Sequence, residues 1–584
     1  MLPSSTKISV SKLKSVLKSI TFVTLSIVFI QNTLAQQNTD YLSDPEHQFW
    51  HDNATLSELT LSFSQQAWTD LQTSTQSSRV EVSANMTFVN YATAYELVNI
   101  GVKLSGNTSF VLPVNEQGEI VQANYTLDFD EFVDNQELKG ITSLKLKRFN
   151  GDPSFIREPL SNKIMQSFGI FTAHSSSYVK VFLQVEEQST QYVGVYRLNE
   201  SVNRQEYIDK RFAIDNDSGY LWQGNYKAYG PALFSRINSE WEGVADADDA
   251  SFEYKGKGVK FNEAKAQLVR LATNLSTLEG VAFKDYVNQH INVPLFLKFL
   301  AAEAVLGHWD GFWGNANNYM FYVDEQEVIH FIPFDTDNTL GTSAIVRDSG
   351  EQSTVQFGVS NNTPMLITKV LAIDDFLGEF LRNTQALVSE QYLMTEADSV
   401  AFILQVHELI KNDLQNVTAQ HEIIEDKPAS WGNQSEYRVF ELNSGKNWYT
   451  TKQAAVIRNL GLPNANAGTD ITNPEGTTIK LDATGSSDPD GTIVSYEWSN
   501  GLTGATPELS LSALGTQTIT LTVTDNFGFI DRSTVSITTT PDLPSPPQTE
   551  LRQANSGGAF GWMSLTALII CMFLRINKQD WRNI

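Results

Sequence analysis

Alternating apolar and polar positions at Leu59–Phe63, Val80–Val89 and Val179–Val185 predict β-strands that bury one face. Apolar positions at helical spacing over Pro294–Leu306 and near Ala397–Leu414 predict amphipathic helices. Asn292 can cap the first of them, with Val293 and Pro294 opening it. Residues 44–455 therefore read as one mixed α/β body. Within it, His308–Gly341 reads HWDGFWGNANNYMFYVDEQEVIHFIPFDTDNTLG. Two short β-type runs, Tyr319–Val323 and Val328–Phe334, flank a polar turn at Asp324–Glu327. Antiparallel pairing of these runs puts Asn318 and Asp335 at the same open end of a hairpin. Asp310 lies eight residues before Asn318.

The pattern changes over residues 463–540, which are rich in Thr, Ser, Gly and Asp. Short β-type runs at Thr477–Leu481, Ile493–Trp498 and Gln517–Val523 are separated by turns at Asp488-Pro489-Asp490-Gly491 and Asp525-Asn526. This is the pattern of a small β-sandwich. Pro541, Pro544, Pro546 and Pro547 make residues 541–555 a stiff spacer. Both ends read as addresses. Residues 1–35 carry Lys7, Lys12, Lys14 and Lys18, the apolar run Ile20–Ile30, and Thr33-Leu34-Ala35. They read as a Sec signal peptide cleaved after Ala35, with an uncleaved anchor as the alternative. Residues 556–584 hold Ser556-Gly557-Gly558, the apolar run Ala559–Leu574, then Arg575 and Lys578. Sixteen residues is short for a spanning helix, and the basic end would stay cytoplasmic.

Net charge is −26, from 41 basic and 67 acidic residues, which argues against general binding to nucleic acid or anionic lipid. An anionic substrate such as ATP then needs a local cationic pocket or a bound metal. The one cysteine, Cys571, sits in the C-terminal apolar run. The body thus has no disulfide, zinc–thiolate site or cysteine nucleophile. Eight histidines weaken the case for histidine-based metal sites. The Asn-x-Ser/Thr triplets at Asn53, Asn107 and Asn274 are no more than chance gives in a chain rich in these residues.

The hairpin's open end gathers a candidate base, Asp310, and candidate oxygen ligands for a divalent cation. These are Asp335, Asp337 and Asn318, with Asn315, five residues after Asp310, as the second-choice asparagine. Protein kinases perform phosphoryl transfer with the same set of an aspartate, an asparagine and a second aspartate after a hairpin. A hydroxyl nucleophile needs a carboxylate to orient it and accept its proton, and the phosphates need a hard cation. Each residue also has a local reading. Asp310 before Gly311 can end a helix, Asp335-Thr336-Asp337-Asn338 can form an Asx turn, and Asn317 and Asn318 are turn formers.

Four blocks, in order over roughly 300 residues, resemble the CotH kinase family of secreted atypical kinases. VKLSGNTSF (Val102–Phe110) is similar to that family's GNxS loop. LKLKRFNGDPSFIREPLSNKIMQSFGI (Leu144–Ile170) is similar to its Asp-Pro-Ser…Arg-Glu block, and VGVYRLNESVN (Val193–Asn203) to its Gly-x-Tyr…Glu block. HWD…NNYMFY…IPFDTDNTLG is similar to its Asp…Asn-Tyr…Asp-x-Asp core. The resemblance implies transfer of the ATP γ-phosphoryl group to a hydroxyl, with Mg2+ or Mn2+, on a protein or other surface substrate. Asp310 takes the catalytic position, Asp335 a metal position, and Asn318 the asparagine before the aromatic strand. NANAGTD, LDATGSSDPDGTIVSYEW and LTVTDNFG resemble a PKD domain, which implies adhesion or spacing. Asp488 and Asp490 there read as calcium ligands or as a solvated turn. The tail resembles a GlyGly-CTERM sorting signal, which implies rhombosortase processing and delivery to a Gram-negative cell surface, with a plain C-terminal membrane anchor as the alternative. The implied fold class is α+β: an atypical protein-kinase-like catalytic domain followed by an immunoglobulin-like β-sandwich.

On the nucleotide side, Gly106, Asn107, Thr108 and Ser109 can offer backbone N–H groups and hydroxyls to phosphates, or form a tight turn. The family's lysine before the next strand is missing here: only Gln122 or Asn124 precedes Tyr125, and Lys103 can substitute from the neighbouring strand. Arg157 can reach phosphate or pair with Glu200, and Glu200 can fix a cationic group as kinases pair Lys with Glu. The competing readings are an exported metal-dependent kinase, a degenerate kinase fold used with the PKD module for adhesion, and a metal hydrolase, which the scarcity of histidine disfavours.

Overall fold

The alternating runs of the first part of the chain close into a barrel. The computed structural model describes residues 40–212, 219–256, 260–344, 349–358, 363–389, 392–414, 423–429 and 436–542. The expected signal peptide, the spacer beyond residue 542 and the sorting tail lie outside the described residues. Among the described residues no helix is long and apolar enough to cross a membrane.

Helix α1 (Pro45–His51) leads into the barrel. Its strands are β1 (Ser57–Phe63), β2 (Glu81–Asn90), β3 (Thr93–Leu104), β4 (Tyr125–Asp128), β5 (Ser143–Lys147), β6 (Ser176–Val185) and β7 (Gln191–Glu200). Their order around the closed barrel is β1-β2-β3-β4-β5-β7-β6. Every neighbouring pair is antiparallel except β1 with β6, which run parallel with Leu59 opposite Val181. The barrel interior is apolar, with Leu59, Leu61, Phe88, Val102, Leu127, Leu146 and Leu198 in one cluster. A strand's side chains alternate between faces, so its other residues point away from that interior. On the outer face, Lys103 is opposite Thr126, Thr126 opposite Lys145, Lys145 opposite Asn199 and Lys147 opposite Arg197. Thr126, Asp128, Arg197 and Asn199 are buried nonetheless, because the helical body covers this face.

Helix α2 (Arg157–Ser167) lies between β5 and β6, and α3 (Gln205–Phe212) follows β7. A second sheet runs β12-β11-β8-β10-β9, from β8 (Tyr220–Gly224), β9 (Val244–Ala245), β10 (Phe252–Tyr254), β11 (Tyr319–Val323) and β12 (Ile329–Pro333). The two runs after Asp310 pair as an antiparallel hairpin, with Tyr319 opposite Pro333 and Val323 opposite Ile329. Helix α4 (Val293–Leu306) starts under its expected cap: Asn292 accepts from the Leu295 N–H at 3.3 Å. It is not amphipathic, however. It packs between β12 and helix α5 (Asp374–Leu387), so all its residues but Pro294 and Lys298 are buried. An apolar residue at almost every position is what such a central helix requires. Helix α6 (Glu396–Ile410) and helix α7 (Trp448–Arg458) complete the body, with a short parallel bridge between β13 (Tyr437–Arg438) and β14 (Lys446–Asn447).

Beyond it, β15 (Ile471–Pro474), β17 (Ile493–Trp498), β19 (Gly515–Asp525) and β20 (Ile530–Thr540) form one sheet in the order β15-β20-β19-β17. β16 (Thr478–Lys480) pairs with β18 (Glu508–Ser510) in the other. Leu481, Trp498, Leu521 and Ile537 fill the space between the two. The turn from β19 to β20 sets Phe527 and Phe529 into the core of the helical body, and Arg382 on α5 donates to the Phe527 carbonyl.

Candidate functional site

Helix α4 ends at Gly307 in the left-handed conformation (φ 72°), and the chain turns back to present Asp310. Three asparagine amides converge on this carboxylate. Asn315 and Asn317 donate to Oδ1 at 2.8 and 3.2 Å, and Asn318 donates to Oδ2 at 3.0 Å. Asn318 itself sits at φ 48°, a left-handed conformation that asparagine tolerates better than most residues. Behind the loop, His308 Nδ1 meets Glu303 Oε1 at 2.7 Å, both fully buried. Gly311 is obligatory there, since a Cβ would collide with the Glu303 carboxylate and the His308 ring. Burial pushes the Asp310 carboxyl above its usual range and the Asp335 charge adds to this, while the Asn315 and Asn317 hydrogen bonds pull the other way. Burial would lower the His308 pKa, but the Glu303 charge and hydrogen bond outweigh it and raise it.

At the open end of the hairpin, Asp335 is also left-handed (φ 53°), and Asp337 follows two residues on. Carboxylate oxygens of Asp335, Asp337 and Glu158 of α2 all lie within 4.8 Å of one another. Glu158 is anchored from the barrel side by an Arg197 ion pair, by Asn199 Nδ2 at 2.8 Å and by His174 Nε2 at 3.2 Å. Burial works against its charge, yet Arg197 and His174 hold its pKa down to about 2. Among the described residues Asp337 has no such cation in contact. Burial, then the Asp335 charge, push its carboxyl well above the usual range. Three gathered carboxylates with one ion pair among them form a set of hard oxygen donors suited to a divalent cation.

The outer face of β5 supplies positive charge next to this cluster. Lys145 donates to Thr126 Oγ1 at 3.4 Å. Its pKa is lowered to about 7 by burial, then by the charges of Lys147, Lys255 and Lys103. The Lys147 charge in turn reaches Glu158 and Asp337. In a chain of net charge −26, Lys145 thus feels the charge of three other lysines, of which Lys147 also reaches the acidic cluster.

Residues 106–446 match the family described as CotH kinase protein. The chain belongs to the CotH kinase protein family. Residues 461–540 match the PKD domain family. The CotH domain is similar to Spore coat protein homolog 1 of Rhizopus delemar, 23% identical over 201 residues, 34% of this chain and 30% of that protein. It is 21% identical to Invasin CotH3 of the same fungus over 273 residues, 45% of this chain and 40% of the relative. It is 22% identical to Inner spore coat protein H of Bacillus subtilis over 311 residues, 50% of this chain and 77% of that protein. The chain therefore spans well under half the length of these two fungal relatives. The PKD1 domain of the Vibrio cholerae metalloprotease PrtV is 38% identical over 13% of this chain and 96% of its own, with a TM-score of 0.12.

The CotH domain thus brings Asp335 and Asp337 together and couples Asp310 to Asp335 electrostatically. Asn315 and Asn318 turn their amide nitrogens to Asp310, and an amide nitrogen is no cation ligand. Other expected residues have different partners. Lys103 is held by Glu81 and Asp128, each at 3.0 Å, so it is already neutralised as a stand-in for the missing lysine. Arg157 is fully buried and pairs not with Glu200 but with Asp152 and Ser154, each at 2.6 Å. Glu200 instead takes Arg211 at 2.6 Å and the Ser175 N–H at 2.6 Å. Gly106 is left-handed (φ 99°), and Asn107 and Ser109 lie in a turn in which the Phe110 N–H donates to the Asn107 carbonyl. Asn124 ties Ser109 Oγ to the start of β4 at 3.2 Å, and Arg79 ties the Gly106 carbonyl at 2.6 Å. Sequence reasoning missed Glu158, Lys145 and Lys147. All three lie in the quoted Leu144–Ile170 block. The alternation Leu144-Lys145-Leu146-Lys147 is the signal that could have found the lysines, since it marks both as the face opposite the barrel interior.

Proposed function

We propose that the CotH domain is a metal-dependent kinase that moves the γ-phosphoryl group of ATP to a hydroxyl of a protein or surface substrate. The reading is carried by one observation: Glu158, Asp335 and Asp337 converge beside a lysine-bearing barrel face, and Asp310 feels the Asp335 charge. Asp335, Asp337 and Glu158 would hold Mg2+ or Mn2+, whose chemistry is to neutralise charge on the phosphates. Lys145 and Lys147 would take phosphate oxygens in the role that a single lysine plays in other kinases. Asp310, held by three amides, orients the acceptor hydroxyl and takes its proton. The new O–P bond forms as the bond from the γ-phosphorus to ADP breaks. The expected signal peptide and tail would send the protein through Sec to the surface of a Gram-negative bacterium. The coat and invasin names of its relatives support such a location.

A second reading is a surface adhesin that keeps the fold for binding. The PKD module and relatives named as invasins favour it. Labelled ATP with Mg2+ or Mn2+ separates the two. Autophosphorylation that disappears in both Asp310→Ala and Asp335→Ala is the expected outcome. Tight binding of protein or carbohydrate with no transfer from ATP would establish the adhesin instead.

A further inference from the structure

A second cluster of ligand-type side chains lies at the end of β7 and adjoins the acidic site through His174, whose Nε2 stands 3.2 Å from Glu158 Oε1. Three of the chain's eight histidines, His47, His51 and His174, gather around a cavity of about 60 Å3. His47 and His51 are one turn apart on α1, a spacing that puts two side chains on one helix face. Glu200, the last residue of β7, completes a trio with them in which ligand atoms all lie within 4.8 Å of one another. The same three residues line a cavity of about 20 Å3, room for one ion or one water.

The details of this trio fit a metal better than a hydrogen-bonded cluster. His47 Nδ1 stands 3.5 Å from Glu200 Oε1. That is long for a hydrogen bond. It is close to the ligand–ligand edge, about 3.4 Å, of a tetrahedral site with zinc-type bonds of ~2.05 Å. The other ring nitrogen of His47, Nε2, meets Ser175 Oγ at 2.9 Å, and Gln166 donates to that same oxygen at 2.8 Å. When Nε2–H donates to Ser175, the Nδ1 lone pair faces the carboxylate oxygen with no proton between them. A metal-bound histidine is oriented by this kind of outer hydrogen bond. His51 Nδ1 is buried with no hydrogen-bond partner among the described residues. Arg211 and the Ser175 N–H hold the other oxygen of Glu200, so Oε1 stays turned towards His47.

We propose that His47, His51 and Glu200 bind one divalent cation of the zinc class, with a fourth position open to water. Two imidazole nitrogens select Zn2+, Co2+ or Ni2+ over Mg2+. Arg211 offsets the charge of Glu200, so the nitrogen donors carry most of the affinity. His47 and His51 match the H-x-x-x-H spacing of zinc peptidases, but Gln48 stands where those enzymes carry their catalytic glutamate. The helix thus lacks the general base of those enzymes, and the geometry assigns the metal a cross-linking role. It ties the leading helix to the strand end from which the chain passes into the helical body. The assignment is independent of the phosphotransfer reading.

Metal-stripped full chain, titrated with Co2+ and then Zn2+, tests it. One equivalent of Co2+ giving the visible absorption of a tetrahedral N/O site is expected, displaced by Zn2+ and indifferent to excess Mg2+. Asp335→Ala should keep this site. His51→Ala should weaken Zn2+ by about tenfold or more. His51→Gln keeps the side-chain volume and should do the same if the alanine variant fails to fold. No tetrahedral Co2+ spectrum in the wild type overturns the assignment without any variant. Equal Zn2+ affinity in folded wild type and either His51 variant does so as well.

Discussion

Asp310 and Asp337 are both half-buried aspartates on one loop-and-hairpin unit, yet their surroundings are opposite. Asp310 receives three amide donors, two of which the protein uses against the upward pull of burial. Asp337 receives one, from its neighbour Asn338 at 2.8 Å, and faces two further carboxylates. Protein amides offset part of the burial of the first, which keeps a raised carboxyl that is ready to take a proton. The second keeps an excess of negative charge that only an added cation can offset. The same residue type thus becomes a base in one place and a ligand in the other, and the difference lies in who supplies the counter-dipoles.

The sharpest way to break this contrast is to neutralise each side in turn. Asp335→Asn is expected to remove metal-dependent nucleotide binding and to cut transfer by on the order of a hundredfold or more. Asp310→Asn is expected to keep nucleotide binding and lose transfer. Equal nucleotide affinity in wild type and Asp335→Asn, measured by calorimetry with Mg2+, would contradict the division of labour.

A smaller effect follows from the raised pKa of Asp337. A carboxyl whose pKa is higher folded than unfolded stabilises the fold at low pH. That contribution is lost as pH rises through the folded pKa. Chelated protein should therefore melt at lower temperature as pH increases. Added Mg2+ should close the gap and release protons on binding. Asp337→Asn should flatten the pH dependence; a slope unchanged in that variant would move the effect to another group.

The smallest expected effect concerns the lysines. Lys145 has its pKa lowered to about 7, so above that pH it is largely neutral in the free protein. Binding of a polyphosphate should restore its proton. Nucleotide titrations in two buffers of different ionisation enthalpy should show proton uptake at a pH one unit above this value and little at a pH one unit below. Lys145→Met should abolish the uptake and weaken binding severalfold. Lys103→Met should alter binding less, because Glu81 and Asp128 already claim that charge.

The hairpin was legible in the sequence because it is local. Two β-type runs joined by a short polar turn can pair in few ways, and the period of two then fixes which residues meet at the open end. Asn318 and Asp335 follow from that alone. The sandwich was legible for the same reason, from short runs and turn dipeptides. Helix α4 was found but its surroundings were misjudged, since burial on all sides depends on α5 and β12, which come from elsewhere in the chain. Pairing with Glu200 is one of two roles open to Arg157 in the sequence, and the two residues do not pair. Successive residues on a helix point about 100° apart, so Arg157 turns to Asp152 while Glu158 turns to the aspartates.

Local order along the chain therefore established the strands, the hairpin, the sandwich and the two aspartates beside it. Barrel closure and the docking of helices on it decided the rest. Pairing β5 with β7 sets Lys145 and Lys147 beside Arg197 and Asn199, and α2 then brings Glu158 to the hairpin. Docking α1 against the end of β7 likewise joins His47 and His51 to a carboxylate about 150 residues away. Periodicity tells which face a side chain takes. It carries no information about which distant face will cover it, and that is settled only when the apolar surfaces of the whole fold are buried together.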